Sequence, residues 1–345
     1  MPSQKPWLSR EGFTADVLGK FLQQTIFCPW KTVPLVLLAH YTTKGREVAE
    51  QYPRLLQVVK VLAGLAVLRR VNAAANRRAL NNGVSDRYDW NREVVVLTGG
   101  SNGIGKQVAL LLASRGIKVA ILDIQAPQDE LPPTVRYHQC DITSPAAIAD
   151  AAGKIRTTMG EPTVLINNAG LCSGMTILGS TEAQTRLQFE VNTLSHYWLT
   201  REFLPSMVQR NHGMVVTVAS QAAYTTTPNM VDYSATKSAA VSFHEGLAAE
   251  LVTRYNAPRV RSVLVTQGFT RTALISRLTP EDTWLNPLLH AETVAEALVQ
   301  QVLTGTSGHV LVPGATGWMA KCLRAWPNWM QHGLRLSLER LMRAE

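Results

Sequence analysis

The chain has 345 residues and a formal net charge of +9, with 34 Lys or Arg against 25 acids, and is longer than a single α/β domain needs. Its four cysteines, Cys28, Cys140, Cys172 and Cys322, are widely spread with no CxxC pair, and the eight histidines do not cluster, so neither a disulfide framework nor a metal site is expected. The positive charge lies in the flanks, 14 Lys or Arg against 6 acids through Arg92 and 5 against 2 from Trp318, while residues 93–317 carry 15 against 17; a slightly acidic core excludes a basic groove for nucleic acid.

In chain order, the opening segment MPSQKPWLSREG lacks the apolar core and small-residue cleavage site of a secretory signal. Two apolar runs follow, VPLVLLAHY over 33–41 and LLQVVKVLAGLAVLRRV over 55–71, with Arg77 and Arg78 just beyond. Neither reaches the roughly 20 clean apolar residues of a spanning helix. Pro29, Pro34, Gln57 and Lys60 interrupt them. Residues 1–92 therefore read as a basic, apolar, membrane-associating region, a shallow or partly inserted hairpin rather than a span unless Lys60 snorkels and lets the second run cross; packing on the core or on a second subunit is the alternative.

From Glu93 the pattern changes. Val94 to Leu97 form a β-branched apolar run that ends in small residues, after which Ile104, Val108, Leu111 and Leu112 recur at helical spacing. This is strand, tight turn, helix, and Gly99, Gly103 and Gly105 let the backbone approach a pyrophosphate at the helix start. The next strand ends in Asp123, where a carboxylate can accept from a ribose 2′-hydroxyl and would repel a 2′-phosphate. With uncharged Asn102, this favours NAD over NADP. Strands are predicted over 94–98, 118–122, 135–140, 164–167, 214–219, 261–265 and 309–312, with helices such as 182–210 and 232–255 between them. Such alternation gives a doubly wound parallel sheet, a Rossmann fold, with Ser220 at its carboxyl edge.

Tyr233 and Lys237, in YSATK, lie four apart on one helix face. A phenol is a poor acid near neutrality, and an adjacent ammonium is expected to lower its pKa towards the range of general acid and base work. In the tail, 318–345, Trp318, Met319, Trp326, Trp329 and Met330 alternate with Lys321, Arg324, Arg335 and Arg340, the composition of a helix lying among lipid headgroups.

Together these residues resemble the short-chain dehydrogenase/reductase family over 93–314. TGGSNGIG, with Gly99, Ser101, Asn102, Gly103, Ile104 and Gly105, is similar to its cofactor loop. Asp141 and Ile142 in CDIT match its adenine contact, and Asn168, Ala169 and Gly170 in NNAG its fourth-strand motif. Asn192, Ser220, Tyr233 and Lys237 match its catalytic tetrad in order and spacing. Gly268, Thr270 and Thr272 fall where the family closes over the nicotinamide, with Gln267 where a proline is usual. The resemblance implies one catalytic domain over 93–317, in which Tyr233 exchanges the substrate proton, Ser220 stabilises the substrate oxygen, Lys237 also holds the nicotinamide ribose and Asn192 anchors a water.

NRRALNN, WNREVVVLTGG and HVLVPG are similar to the membrane-associated branch that includes retinol dehydrogenases and 17β-hydroxysteroid dehydrogenases, most closely its fungal members. That branch implies an NAD(P)-dependent oxidoreductase of a lipophilic alcohol or ketone: a retinoid, sterol, lipid, or fungal terpenoid or polyketide intermediate. It also implies a location at the endoplasmic reticulum or a lipid droplet with the catalytic domain cytosolic, and a homodimer paired through the long helices. The alternatives are an NADP-dependent ketoreductase of secondary metabolism and a catalytically idle cofactor-binding scaffold.

Overall fold

A β-branched run buried at every position belongs in the middle of a sheet covered on both faces, and Val94–Thr98 (β1) has that burial. The structure, a computed structural model, describes residues 9–276, 278–280, 282–341 and 343–344. The chain divides into two units, Met1–Gly83 and Val84–Glu345.

In the first unit lie α1 (Ala15–Gln24), α2 (Pro29–Tyr41), α3 (Thr43–Gln51) and α4 (Pro53–Leu80). Pro29 and Pro53 occupy first-turn positions, where the missing N–H costs nothing. Pro34 lies inside α2, and α2 packs against α4. Gln57 and Lys60 interrupt the apolar run but not the helix: both are good helix formers, and α4 is continuous over 28 residues. Trp30, Leu35, Leu38, Leu55, Val61 and Leu68 are exposed. Among the described residues no helix is long and apolar enough to cross a membrane.

The second unit adds β2 (Lys118–Asp123), β3 (Val135–Gln139), β4 (Val164–Asn167), β5 (Met214–Val218), β6 (Arg261–Gln267), β7 (Leu278–Thr279), β8 (Gly308–Val312) and β9 (Arg343–Ala344). Seven of these strands form one parallel sheet in the order β3-β2-β1-β4-β5-β6-β8, while β7 pairs with β9 antiparallel. The order reverses between β1 and β4, the point where such sheets open a ligand crevice at their carboxyl edge.

The helices are α5 (Gly103–Ala113), α6 (Pro145–Met159), α7 (Glu182–Phe189), α8 (Ser195–Arg210), α9 (Val231–Thr253), α10 (Ala291–Leu303), α11 (Gly314–Cys322) and α12 (Asn328–Ser337). One sheet face packs Val96 and Leu165 against Ile155, Phe203 and Phe243 of α6, α8 and α9. The other packs Leu97 and Ile166 against Leu112 of α5 and Leu298 of α10. Each such side chain contributes roughly 2 kcal/mol by leaving water.

The single helix expected over 182–210 is divided by a π-turn at Glu190–Leu194, which carries Asn192. The tail is not one amphipathic helix either. Its first part docks on the catalytic unit: Ala320 and Leu323 are buried and Arg324 donates to Ala223 O at 3.1 Å. Pro327 then starts α12, on which Trp329 is exposed. At the opposite edge of the sheet from the crevice, the segment before β1 is fastened by Tyr88, which donates to Gly213 O at 2.6 Å and stacks on Trp90.

Candidate active site

The turn between β1 and α5 can only be built from glycine. Gly99 and Gly103 have φ of 64° and 54°, and a Cβ on Gly99 would lie 2.8 Å from Ala169 Cα. A Cβ on Gly105 would meet Gly99 O at 2.0 Å and Asn168 Nδ2 at 2.6 Å. Asn102 caps α5, its side chain accepting from Gly103 N at 2.7 Å. Ile104 packs against the core beneath.

Asp123 sits at the end of β2 and ties this turn down, accepting from Ser101 N at 3.1 Å and from Gln125 N at 3.2 Å. Lys106, the cation that follows the turn, is paired with Asp129. After β3, Asp141 is exposed and accepts from Thr143 N at 2.9 Å, while Ile142 is buried. After β4, Asn168 Nδ2 donates to Thr98 O and Gly99 O at 3.0 and 3.1 Å, and the N–H groups of Asn168 and Ala169 both donate to Thr98 Oγ1. This motif thus braces the glycine turn.

The strand ends converge on Tyr233 and Lys237. Asn192 Nδ2 donates to Leu171 O at 2.8 Å and to Thr236 Oγ1 at 3.0 Å, and its Oδ1 accepts from Leu171 N at 2.9 Å. A Cβ on Gly170 would be 3.3 Å from Asn192 Oδ1 and 3.4 Å from Lys237 Nζ, so amide and ammonium meet at one bare stretch of backbone. Lys237 is buried, donates to Val218 O at 2.9 Å, and lies 5.7 Å from the centre of the Tyr233 ring. Ser220 follows β5, donates to Gln267 O at 3.3 Å and hydrogen-bonds Tyr233.

The electrostatics correct one expectation. Burial pushes the Tyr233 phenol above its ordinary value, Cys172 adds to the rise, and the Ser220 hydrogen bond only partly offsets them. Lys237 is itself pushed down to about 8 by burial. Desolvation disfavours both charged forms, and in this geometry it outweighs the acidifying effect assigned to the ammonium.

β6 runs on through Gln267, which stands in register with Val312 of β8, and Gly268 N donates to Val312 O at 2.7 Å. The loop then returns to the glycine turn: Thr270 Oγ1 donates to Gly268 O, and a Cβ on Gly103 would lie 3.2 Å from Thr272 Cγ2. Met230, Tyr233 and Leu278 form a buried apolar cluster with Cys172, Ala222, Phe269, Leu274 and Ile275 packed on it. Two supports escaped the sequence reading, Thr236, which fixes Asn192, and Asp232, which accepts from Ser173 Oγ at 2.8 Å. Thr and Asp on a helix carry no pattern that marks such duties.

The candidate cofactor residues thus follow the carboxyl ends of the strands, and the side-chain-free turn of Gly99, Gly103 and Gly105 at the start of α5 fits a dinucleotide phosphate. Residues 93–283 match the short chain dehydrogenase family. The chain is 43% identical to the dehydrogenase RED2 of Cochliobolus heterostrophus over 208 residues, covering 59% of this chain and 77% of that protein. It is 33% identical to estradiol 17-beta-dehydrogenase 11 of Rattus norvegicus over 244 residues, 68% of this chain and 80% of that one. A short chain dehydrogenase from Burkholderia cenocepacia J2315, solved in complex with NADP, superposes with a TM-score of 0.61 at 28% identity, covering 72% of this chain and 99% of that chain.

Proposed function

The chain belongs to the short chain dehydrogenase family and is an NAD(P)-dependent dehydrogenase acting on alcohols or ketones, and from that premise we propose that it interconverts a lipophilic alcohol and its ketone or aldehyde at a membrane or lipid-droplet surface, with NAD preferred. The observation that carries this reading is the buried apolar cluster to which Tyr233 belongs, with Met230 and Leu278 in it and Phe269, Leu274 and Ile275 packed against it. A substrate that reaches Tyr233 among such side chains is favoured when it is greasy.

In this reading Gly99, Ser101, Asn102, Gly103, Ile104 and Gly105 hold the pyrophosphate, Asp123 the adenosine ribose, and Asp141 and Ile142 the adenine. Asn168, Ala169, Gly170, Gly268, Thr270 and Thr272 hold the nicotinamide half, with Tyr233 and Lys237 against its ribose. The bound dinucleotide supplies or accepts a hydride. Ser220 donates to the substrate oxygen, and Tyr233 gives that oxygen a proton during reduction and takes it back during oxidation. A phenol kept protonated by burial is the acid that carbonyl reduction needs at neutral pH; oxidation draws on the phenolate and gains as pH rises.

The preference for NAD rests on Asp123 and on the pairing of Lys106 with Asp129, which leaves that cation engaged elsewhere than at a 2′-phosphate. The surface location rests on the exposed Trp30, Leu35, Leu38, Leu55 and Leu68 among the cations of the first unit. The test is a turnover screen of the purified full-length protein with NAD and NADP against retinoids, sterols and long-chain alcohols, following reduced-nicotinamide absorbance. Faster turnover of small hydrophilic alcohols than of every lipophilic one would overturn the reading.

A further inference from the structure

Gln267, at the end of β6, carries a side chain to which the reaction described above gives no task. It is 8% exposed, and its Oε1 has no hydrogen-bond partner among the described residues. A buried acceptor left unbonded forfeits the water it gave up on folding, so an amide in this state points to a donor that arrives later. The residue type adds to the case. A proline, usual at this position in the family, offers no side-chain acceptor, so a contact made here belongs to this chain and not to the family pattern.

Its surroundings identify the donor. Val263 and Val265 pack on the sheet face covered by α5 and α10, and alternation puts Gln267, two residues on, on that same face. Its register partner Val312 forms a cluster with Leu289 and Val294, and Ile104, between Gly103 and Gly105, packs against that cluster. The amide thus stands on the side of the sheet that carries the glycine turn. Beyond it the chain runs through Gly268 and Thr270 to Thr272, whose Cγ2 is 3.2 Å from where a Cβ on Gly103 would lie. On the main chain, Gln267 O accepts from Ser220 Oγ at 3.3 Å. One residue therefore fastens the hydroxyl that meets the substrate oxygen and presents an open acceptor beside the nicotinamide half.

We propose that Gln267 is a further cofactor-binding residue, whose Oε1 accepts a hydrogen bond from the carboxamide N–H of the nicotinamide. This rests on the assignment of Gly268, Thr270 and Thr272 to the nicotinamide half. A nicotinamide ring offers N–H donors only at its carboxamide, and it keeps them whether the ring is oxidised or reduced. An uncharged acceptor therefore serves both states, whereas a carboxylate at the same place would favour the cationic, oxidised ring. Holding the carboxamide restricts rotation of the ring, so that its reacting carbon is offered to the substrate in one orientation.

The experiment reads binding and needs no turnover. Dissociation constants of full-length wild type and Gln267→Met are measured by titration calorimetry for three ligands: NAD, its acetylpyridine analogue, in which a methyl group replaces the amide nitrogen, and ADP-ribose, which lacks the nicotinamide. Methionine keeps the length of the side chain without its amide. Wild type should bind NAD about fivefold more tightly than the analogue, the size of one neutral hydrogen bond, and Gln267→Met should bind the two alike. Affinity for ADP-ribose should be the same in both proteins. A preference for NAD that survives in Gln267→Met, or an equal loss of ADP-ribose affinity in that variant, overturns the proposal. Should Gln267→Met fail to fold, diffraction from wild-type crystals grown with NAD decides it: Oε1 within hydrogen-bond distance of the carboxamide nitrogen supports the contact, and Oε1 bonded only to water or protein overturns it. A wild type that binds ADP-ribose and NAD but fails these tests loses this contact alone; one that binds neither loses the dinucleotide reading as well.

Discussion

Lys237 sets its ammonium 5.7 Å from the centre of the Tyr233 ring while both residues are buried, 3% and 4% exposed. An amine held there is an internal cation whose charge is expensive and whose nearest fixed acceptor is a carbonyl, Val218 O at 2.9 Å.

The cost is measurable as a pH dependence of stability. Lys237 falls from 10.5 to about 8 on folding, so the folded state resists the proton. Below about pH 8 the full penalty, about 3 kcal/mol, is present, and it fades as pH rises towards the unfolded value. Lys237→Met is therefore expected to unfold at higher urea than wild type at pH 7, with the gap closing by pH 10. A variant less stable than wild type at both pH values contradicts this.

A second pH dependence lies at the far edge of the sheet. His212 Nδ1 is 2.8 Å from Asp86 and its Nε2 is 3.3 Å from Glu93, and only an imidazolium donates to both. The Glu93 hydrogen bond raises His212 above its usual value against the opposing effect of burial. Burial raises Glu93, but hydrogen bonds from His212 and Thr163 outweigh it and leave its pKa lowered. A raised histidine stabilises below its unfolded value of 6.5 and loses this as pH passes its folded value; a lowered glutamate stabilises above 4.5 and loses it as pH falls below. The contribution thus peaks between pH 4.5 and 6.5. His212→Gln should remove about 1–2 kcal/mol at pH 6 and less at pH 8, read by thermal melts at the two pH values.

Much of this was legible beforehand because the signals are local. The central strands β1, β4, β5 and β6 follow from apolar runs that the fold buries throughout, the edge strands β3 and β8 from shorter, half-buried patterns between turn residues, and the glycine turn from residues that must lack a Cβ. The sign of the Tyr233 shift was not, because charge proximity can be read from i, i+4 spacing whereas depth of burial is set by the loop after β6. The π-turn at Asn192 has no composition of its own. The clip of Asp86, Tyr88 and Glu93 onto His212 and Gly213 joins residues more than a hundred positions apart, beyond any periodicity.

The glycine turn can be tested without catalysis. Gly105→Ala places a methyl 2.0 Å from Gly99 O, and its dinucleotide dissociation constant should rise by roughly 100-fold or more, measured by quenching of tryptophan fluorescence. Gly153→Ala, with open space around the added methyl, is the control that retains wild-type affinity. Equal affinity in both variants argues against the turn as the pyrophosphate site.

For the surface location, the full-length protein is expected to float with anionic phospholipid vesicles. Replacing Leu35, Leu38, Leu55 and Leu68 together by Ser should leave it at the bottom of the gradient, since each exposed leucine contributes roughly 2 kcal/mol when buried in hydrocarbon. Undiminished flotation of the substituted protein removes the first unit from the membrane account.

The most direct measurement compares turnover of wild type and Tyr233→Phe on the best substrate of the screen, with dinucleotide affinity determined in parallel. Proton exchange at this phenol requires turnover to fall by about 100-fold or more while affinity stays within the wild-type range. Comparable turnover in the two proteins contradicts it.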